Sequence, residues 1–305
     1  MIIHLVDGTY ELFRQFYGIR RFKKSDPPFG AVAGVLRLVA KMIEDGATHI
    51  AVATDHVIES FRNNLWSGYK TGAGIEPALY AQFEPLEKAL ASMGIAVWAM
   101  VEFEADDALA SGAYLAARDK RVQKVCIWTP DKDLAQCVVG ERVVQVDRRS
   151  GQIRDEAAVE AKFGVAPEYI PDYLALVGDA ADGYPGLAGL GPKGAGKLIR
   201  QYGHIEEFPL EVLGANRQRA LLFKDLAILR VDVPLYSLKV LPYPEPVGKS
   251  KNPPWRVEPA ISPLRDVDDL RWEGPTALFE AVAAKVDDAA LAKRVRNLHR
   301  RAALS

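Results

Sequence analysis

Carboxylates stand at the ends of four strand-like runs, and these acids are the side chains of the sequence best suited to chemistry. Asp7 follows the apolar run at 2–6, and Asp55 follows the run at 49–53. The two later runs are followed by groups of acids, namely Glu104, Asp106 and Asp107, and then Asp131 and Asp133. Like charges gathered in this way repel at reduced dielectric, so the pattern implies a bound divalent cation. Oxygen ligands without His or Cys favour Mg²⁺ or Mn²⁺ over zinc.

An acid after a strand has other common roles, because it also caps the next helix or forms a turn. Glu104-Ala-Asp-Asp107 opens a predicted helix, where acids complement the helix dipole as well. The repetition at four strand ends still favours the metal interpretation. The spacing Asp131-Lys-Asp133 allows two carboxylates to flank one ion or to bridge two. Two ions about 4 Å apart are the usual arrangement for phosphodiester hydrolysis.

The elements that position these acids alternate between strands and helices. Helical periodicity covers 31–45, 79–93 and 105–118, and a strand-like run at 143–146 follows the four already described. Alternation of this kind predicts an α/β fold with a mainly parallel sheet flanked by helices. In such a sheet, ligands bind beyond the carboxyl ends of the strands. The four groups of acids are therefore expected at one edge.

Helices dominate after residue 151, and they predict a second, α-helical subdomain. The predicted helices cover 156–163, 168–177, 193–202 and 216–229. Nine of the 19 prolines fall at 234–275, which predicts an extended segment without long helices. A last helical stretch at 277–302 carries a basic cluster made of Lys293, Arg294, Arg296, Arg300 and Arg301. Three interpretations fit this cluster: a solvated helix end, a binding site for a partner, or an extension of the surface that binds DNA.

A glycine-rich segment at 178–196 contains seven glycines. The turn Gly189-Leu-Gly191 lies between two predicted helices, and Pro192 suits the first position of the second helix. Backbone N–H groups at such a helix start bind phosphate, and Lys193 and Lys197 add positive charge. A dinucleotide-binding fingerprint is excluded because no strand precedes the glycines. The segment is interpreted as a helix-hairpin-helix that contacts the backbone of duplex DNA.

Composition sets wider bounds on the function. The chain has 305 residues, of which 49% are hydrophobic and 26% charged, values typical of a soluble globular protein. The 39 basic and 40 acidic residues leave a net charge of -1, so affinity for a polyanion must come from local clustering. We expect no membrane span and no signal peptide. Cys126 and Cys137 lack metal or redox spacing, which suits reduced thiols in the cytoplasm.

Taken together, these motifs resemble the 5′-nuclease (flap endonuclease) family, and in particular the 5′–3′ exonuclease domain of bacterial DNA polymerase I and its stand-alone relatives. The resemblance covers residues 1–235 and follows the order of five motifs: Leu-Val-Asp7-Gly; Ser60-Phe-Arg62 with Gly68-Tyr69-Lys70; Glu104-Ala-Asp-Asp107; Thr129-Pro-Asp131-Lys-Asp133; and Gly178-Asp179-Ala-Ala-Asp182 before Pro185-Gly-Leu-Ala-Gly-Leu-Gly191. It implies a PIN-like fold, a helical arch at about 60–85 and a helix-three-turn-helix module.

The resemblance also implies roles for individual residues. The first metal would be held by Glu104, Asp106 and Asp131 together with Asp55 and Asp7; the second by Asp131 or Asp133 with Asp179 and Asp182; and Asp107 would support the site from its edge. Lys70 and Arg62 would be catalytic through contact with the scissile phosphate, and Tyr69 would stack on an unpaired base. Carbonyls near Leu187 and Leu190 would bind a monovalent cation such as K⁺. Two departures stand out: no arginine follows Tyr69-Lys70, and Gly183 replaces the usual Asn.

Three domains are expected. The resemblance implies a nuclease domain at 1–160 and a DNA-binding subdomain at 161–235, and beyond it a proline-rich segment with a basic helix at 236–305 is expected to pack on the nuclease body. The implied activity is Mg²⁺- or Mn²⁺-dependent hydrolysis of DNA 5′ flaps and ends with two ions, in replication and repair. The implied protein is a monomer of the bacterial cytoplasm, associated with the nucleoid, without a small-molecule cofactor. Two alternatives are a non-catalytic DNA-structure-binding protein and a PIN-type ribonuclease that acts on single-stranded RNA.

Asp131→Asn should abolish cleavage of a 5′-flap substrate, because the substitution removes a charged ligand oxygen from the metal site. Binding to duplex DNA should stay within a few-fold of wild type, since the hairpin is unchanged. A flap-cleavage assay and a duplex-binding assay on the same variant measure both effects. Cleavage at the wild-type rate would contradict the metal assignment.

Overall fold

The structure is a computed structural model that describes residues 1–20, 28–241, 256–286 and 289–302. These residues belong to two compact units. The first unit comprises Met1–His56, Gly74–Met100 and Pro234–Ser305, and the second comprises Val57–Ala73 and Val101–Val233.

The strands and helices follow one another along the described chain as an α/β alternation that gives way to helices. In chain order they are β1 Ile2–Asp7, α1 Gly8–Arg20, α2 Gly30–Glu44, β2 His49–Asp55, α3 Arg62–Leu65, α4 Pro77–Tyr80, α5 Phe83–Ser92, β3 Ala96–Met100, α6 Ala105–Arg118, β4 Lys124–Trp128, β5 Val143–Asp147, β6 Gln152–Arg154, α7 Glu156–Phe163, α8 Ile170–Val177, α9 Pro192–Tyr202, α10 Leu210–Leu213, α11 Arg217–Ala227, β7 Tyr236–Leu241, β8 Arg256–Pro263, α12 Phe279–Lys285 and α13 Ala289–Ala302. Short 3-10 helices lie at Asp133–Cys137, Pro167–Tyr169, Ile205–Glu207, Gly214–Asn216 and Val267–Leu270.

In the first unit, β1, β2 and β3 form parallel pairs. Asp7 lies opposite Ala53, and Asp55 lies opposite Met100, so both acids end their strands at the same edge. The strands are almost continuously apolar and buried, as expected for a parallel sheet covered on both faces. Within the same unit, β7 and β8 form an antiparallel pair.

In the second unit, β4 and β5 are parallel, and β6 pairs antiparallel with β5. Helices α8, α9 and α11 bury one apolar cluster that includes Leu174, Ile199 and Phe223. The mainly parallel sheet and the helical region that follows it agree with the fold class expected from the sequence. The short strand β6 was not predicted, because Gln152 and Ile153 are exposed and its three residues show no apolar run.

The predicted helix at 79–93 is divided into α4 and α5, and proline accounts for the break. Pro85 has no N–H group, so it is tolerated only in the first turn of a helix, and α5 begins two residues before it at Phe83. Gln82, which precedes α5, accepts the backbone N–H groups of Ala31 and Val32 at 3.2 and 3.3 Å. It therefore satisfies donors at the start of α2, which have no partner within that helix.

The predicted helix at 277–302 is likewise two helices, α12 and α13, and residues 287–288 between them lie outside the described residues. Much of the proline-rich segment also lies outside them, at 242–255. Its described part contains β7, β8 and one 3-10 turn, which agrees with the expected lack of long helices. Among the described residues, no helix is long and apolar enough to cross a bilayer.

A buried ionic network holds the helices of the second unit together. Asp172 in α8 is fully buried and accepts hydrogen bonds from His204 Nδ1 at 2.9 Å, Ile205 N–H at 2.8 Å and Lys224 Nζ at 2.8 Å. Lys224 in α11 also pairs with Glu206 at 2.6 Å. The network joins α8 and α11 through the chain segment that follows α9. Removal of one partner would leave a buried charge with less compensation inside the unit.

Asp172→Asn should lower the free energy of unfolding by about 3–5 kcal/mol, because it leaves the buried Lys224 ammonium with one anionic partner fewer. Asp225→Asn is the matched control, since Asp225 pairs with Arg230 at a half-exposed position. The control should cost at most about 1 kcal/mol. Urea unfolding of both variants measures the difference, and equal losses would contradict a structural role for the Asp172 network.

Candidate metal centre

Three buried carboxylates of the second unit converge on one point. Asp133, Asp179 and Asp182 are 6%, 3% and 8% exposed, and one oxygen from each lies within 4.8 Å of the others. Asp133 opens the 3-10 helix after β4, whereas the other two acids come from the loop between α8 and α9. An all-carboxylate set of this size fits a divalent cation such as Mg²⁺ or Mn²⁺.

The loop after β4 places two acids at different depths. Asp131 is exposed and accepts the N–H of Asp133 at 3.0 Å through Oδ1. The backbone oxygen of Asp131 accepts from Gln145 Nε2 at 2.6 Å, and the Gln145 oxygen accepts in turn from Arg154 at 2.8 Å. Gln145 on β5 and Arg154 on β6 therefore fix the loop from the adjacent strands.

The loop after α8 is a tight turn that presents two acids on the same side. Asp179 and Tyr184 form an antiparallel bridge with N–H to oxygen distances of 2.8 and 3.0 Å. Within the turn, Asp179 Oδ1 accepts the N–H of Ala181 at 2.9 Å. The turn brings Asp182 back beside Asp179, which explains their three-residue spacing in the sequence.

Two lysines neutralise part of this charge. Lys70 Nζ lies 2.7 Å from Glu104 Oε2 and 2.9 Å from Asp182 Oδ1, and Lys132 Nζ lies 2.8 Å from Asp179 Oδ2. Both side chains are about one-third exposed, at 31% and 35%. Lys132 was given no role by the sequence, although its place between Asp131 and Asp133 puts a cation among the predicted ligands.

Glu104 lies at the N-cap of α6 and carries several buried partners. Its Oε1 accepts from Ser60 Oγ at 2.6 Å and from Arg62 at 3.2 Å, and its Oε2 accepts from Tyr69 OH at 3.3 Å. Burial alone favours the neutral acid, but the charges of Lys70 and Arg62 outweigh it and lower the pKa of Glu104. Glu104 is therefore an anion fixed in one orientation.

Asp107 is held differently, because both of its oxygens are fully used. Oδ1 accepts from Arg62 at 2.8 Å and from the N–H of Arg230 at 2.9 Å, and Oδ2 accepts from Arg62 at 2.7 Å and from the N–H of Glu104 at 3.0 Å. A carboxylate has about four acceptor positions. This arrangement suits support from the edge of the site and leaves no oxygen position for direct metal ligation.

Arg62 is 1% exposed, and its remaining donors bind the end of α11. Its Nε donates to the oxygen of Leu226 at 2.8 Å, and one terminal nitrogen donates to the oxygen of Ile228 at 3.0 Å. Gln136, on the same 3-10 helix as Asp133, donates to the oxygen of Ala227 at 2.9 Å. The supports of the acids and the C-terminal carbonyls of α11 therefore form one network.

The surroundings of Asp133 give the most direct evidence that the three clustered acids fit a cation. Its Oδ1 atom is buried and has no hydrogen-bond partner in the structure. Burial and the charges of Asp131, Asp182 and Asp179 raise the pKa of Asp133 well above its ordinary value. Burial also raises the pKa of Asp182, and the ammonium of Lys70 offsets this only in part. A bound cation would relieve both the repulsion and the unsatisfied oxygen.

The segment that carries Lys70 is fastened to the acidic loop by backbone contacts. Lys70 N–H donates to the oxygen of Asp182 at 2.9 Å, and the Trp66 indole donates to the oxygen of Gly183 at 3.1 Å. A Cβ atom at Gly183 would lie 2.0 Å from the oxygen of Gly68, and its φ is +84°. The replacement of the usual Asn by Gly183 therefore accompanies a close approach of two backbones.

The remaining predicted site residues lie at several places. Asp106 is half-buried on the first turn of α6, near Cys137, whose pKa is raised by burial and then by the charge of Asp106. In the first unit, Asp7 is buried and accepts the N–H of Tyr10 at 2.8 Å, while the N–H of Asp55 donates to Thr9 at 2.8 Å. The association of Asp7 and Asp55 with the acids of the second unit stays a prediction.

The residues predicted to contact DNA differ in exposure. Gly189, Gly191, Lys193 and Lys197 are exposed, and Pro192 lies in the first turn of α9, as the sequence predicts. Leu187 is buried and Leu190 half-buried. Tyr69 is 4% exposed and packs in the apolar cluster of the second unit, so its ring has no free face for an unpaired base in this structure. Burial raises the pKa of its hydroxyl.

The segment at 60–85, predicted to form the arch, contains α3 and α4, each four residues long, and the start of α5. The stretch between α3 and α4 has turns and extended backbone. Passage of a DNA strand beneath this segment stays a prediction.

Gly183→Ala should destabilise the protein far more than Gly189→Ala. Both glycines have a φ near +80°, at +84° and +81°, but an added Cβ meets the oxygen of Gly68 at one position and open space at the other. The left-handed backbone alone costs about 1–2 kcal/mol. The clash at Gly183 should at least double that loss. Urea unfolding of the two variants checks the difference, and equal losses would contradict the close packing of the two segments.

Comparison with known proteins agrees with this geometry. Residues 2–164 match the model of the 5′-3′ exonuclease N-terminal resolvase-like domain, and residues 165–247 match that of the 5′-3′ exonuclease C-terminal SAM fold. A 5′-3′ exonuclease of Aquifex aeolicus (strain VF5) is 33% identical over 208 residues, which cover 67% of this chain and 71% of that protein. DNA polymerase I of Pseudomonas aeruginosa is 34% identical over 252 residues, which cover 76% of this chain and 27% of that protein.

Among solved structures, a T5 5′-exonuclease mutant has a TM-score of 0.60 and 18% identity, and a bacteriophage T5 flap endonuclease in complex with DNA and metal ions has a TM-score of 0.60 and 20% identity. The complex covers 75% of this chain and 89% of its own chain. At that identity the likeness concerns the fold. The family models cover more than half of the chain, and they confirm the resemblance and the nuclease class expected from the sequence. The chain belongs to the 5′-3′ exonuclease family.

Proposed function

We propose that the chain is a 5′–3′ exonuclease and 5′-flap endonuclease that hydrolyses DNA phosphodiester bonds with two Mg²⁺ or Mn²⁺ ions, in replication and repair. The observation that carries the proposal is the convergence of Asp133, Asp179 and Asp182 with one buried, unsatisfied oxygen among them. Ions held there would lower the pKa of the attacking water and neutralise the phosphate. Several similar proteins are named as exonucleases or flap endonucleases.

The acids divide into two proposed sets. Asp133, Asp179 and Asp182 would hold one ion. Glu104, Asp106 and Asp131 would hold the other, together with Asp7 and Asp55 at the strand ends of the first unit. The orientation of Glu104 by Ser60, Arg62 and Lys70 supports the second set, because a preorganised ligand loses less entropy on binding.

Lys70 is the cation that we propose to contact the scissile phosphate. Its ammonium group is partly exposed and lies beside two of the acids, so a phosphate drawn to the same ions would come within its reach. Arg62 is buried, and its guanidinium nitrogens already donate hydrogen bonds to acceptors of the protein. We therefore assign Arg62 to positioning Glu104 and Asp107, in place of the phosphate contact implied by the resemblance, and Tyr69 to supporting Glu104.

The hairpin before α9 would anchor the duplex. Gly189 and Gly191 leave the backbone accessible, and the N–H groups at the start of α9 suit a phosphate. Lys193 and Lys197 lie one turn apart on the exposed face. We further propose that carbonyls near Leu187 and Leu190 bind a K⁺ ion. We also propose that the protein acts as a monomer in the bacterial cytoplasm beside the nucleoid. The divisions at 160/161 and 235/236 are kept as proposed domain boundaries.

The proposed function is tested with a labelled 5′-flap DNA and a single-stranded RNA of equal length, each incubated with Mg²⁺, Mn²⁺ or EDTA. We expect cleavage of the flap with either metal, none with EDTA, and little cleavage of the RNA. Preferred cleavage of RNA would favour a ribonuclease of the PIN type. Flap binding without cleavage in any metal would favour a non-catalytic DNA-binding protein.

Lys70→Ala should lower kcat on the flap substrate by about 10²- to 10³-fold, since it removes one positive group from the developing phosphate charge. Affinity for duplex DNA should be unchanged, because the hairpin is intact. Lys120→Ala is the control, as Lys120 is an exposed lysine of the same unit after α6. Single-turnover kinetics at saturating Mg²⁺ measure the effect, and equal rates for the two variants would contradict the proposed contact.

A further inference from the structure

We infer that the hydroxyl of Tyr184 is a positioning group of the metal centre, which donates a hydrogen bond to a water molecule on the ion held by Asp133, Asp179 and Asp182. The inference rests on the proposed function, and it adds a residue to which the sequence motifs and the resemblance gave no role. It does not require Tyr184 to touch the substrate.

The first support is an unsatisfied hydroxyl. Tyr184 is 1% exposed, and its hydroxyl oxygen is buried without a hydrogen-bond partner in the structure. A buried hydroxyl without a partner destabilises the folded state, whereas Phe at the same place would carry no such penalty. The ring packs against Phe223 with centroids 5.5 Å apart, so an apolar ring alone would fill the space. The hydroxyl therefore needs a partner other than the described residues of the protein.

The second support is the position of this hydroxyl among the acids. The backbone of Tyr184 forms a bridge with that of Asp179, and Tyr184 follows Asp182 by two residues. A phenol hydroxyl is neutral near pH 7 and can donate one hydrogen bond. The phenol is therefore a neutral donor beside these carboxylates.

The third support is the complementary atom on Asp133. Within the described part of the chain, the Asp133 Oδ1 is a buried acceptor without a partner, and the Tyr184 hydroxyl is a buried donor without a partner. The two groups are not hydrogen-bonded to each other, and Tyr184 lies in the turn that carries Asp179 and Asp182. Mg²⁺ sheds its waters reluctantly and usually keeps several of them in protein sites. An ion on Asp133 that carries a water to Tyr184 would satisfy both atoms at once.

Tyr184→Phe tests the inference, because it removes the hydroxyl and preserves the ring. Without metal, the variant should melt at a higher temperature than wild type, by about 2 °C or more, since an unsatisfied group is lost. With metal, it should bind Mn²⁺ about 3- to 10-fold more weakly by titration calorimetry, since one hydrogen bond to the hydrated ion is lost. The two effects have opposite signs, and a purely structural role would not produce this combination.

Tyr202→Phe is the matched control, since Tyr202 packs on Phe208 in the same unit at a half-buried position. It should leave Mn²⁺ affinity unchanged.

Wild-type affinity for Mn²⁺ in Tyr184→Phe would overturn the inference, and so would a lower melting temperature without metal, which would mean that the hydroxyl already has a partner. If Tyr184→Phe binds Mn²⁺ normally and Asp182→Asn does not, the inference fails while the proposed metal site stands. If the wild-type protein binds no Mn²⁺, both fail.

Discussion

Repulsion between buried carboxylates is the constraint on which the rest of the second unit depends. Asp133, Asp179 and Asp182 are gathered within a few ångströms, where solvent screens their charges poorly. A fold can keep such a cluster only if other interactions hold the backbone in place against it. Lys70 and Lys132 offset part of the charge, and backbone hydrogen bonds within the two acidic loops supply the remaining restraint. The cluster is therefore preorganised for a cation, and its stability in the absence of one comes from its surroundings.

The restraint reaches beyond the acids to the last helix of the second unit. The final carbonyls of a helix have no partner within it. At the end of α11, Arg62 and Gln136 donate to these carbonyls, and each also contacts an acidic segment. The packing of α11 and the positioning of the acids therefore depend on the same two side chains. The buried Asp172 network couples α8 to α11 as well, so the acidic loop after α8 is tied to a fixed frame.

The sequence predicts this architecture well where patterning is strong. Apolar runs that alternate with helical stretches predict the parallel strands. The same runs show where each strand ends, so the acids that follow them are predicted at the strand ends. Asp133, Asp179 and Asp182 could be named as ligands through motif resemblance, although they come from different segments. Periodicity extended the helix at 79–93 across a break that Pro85 requires, and a closer weighing of that proline would have found it.

Other features depend on tertiary contacts and leave little trace in the sequence. The resemblance implied that Arg62 contacts the scissile phosphate, and only the structure shows its guanidinium buried against Asp107 and the end of α11. Tyr69 looked free to stack on a base, yet its ring fills the core. Gln136 and Gln145 are uncharged and isolated in the sequence, so no pattern marks them as supports of the acidic loops. Lys132 is the exception, since a cation between two predicted ligands was a readable signal.

The contact between Gly68 and Gly183 also constrains how this chain can change over evolutionary time. A Cβ at Gly183 would overlap the backbone oxygen of Gly68, and the Trp66 indole donates a hydrogen bond to the oxygen of Gly183 beside this contact. A relative that carries a larger residue at the position of Gly183 must therefore hold the Lys70 segment farther from the acidic loop. The two positions should covary, and the distance between lysine and acids should drift with them. Gly68 and Gly183 together therefore determine the distance between the Lys70 segment and the acidic loop.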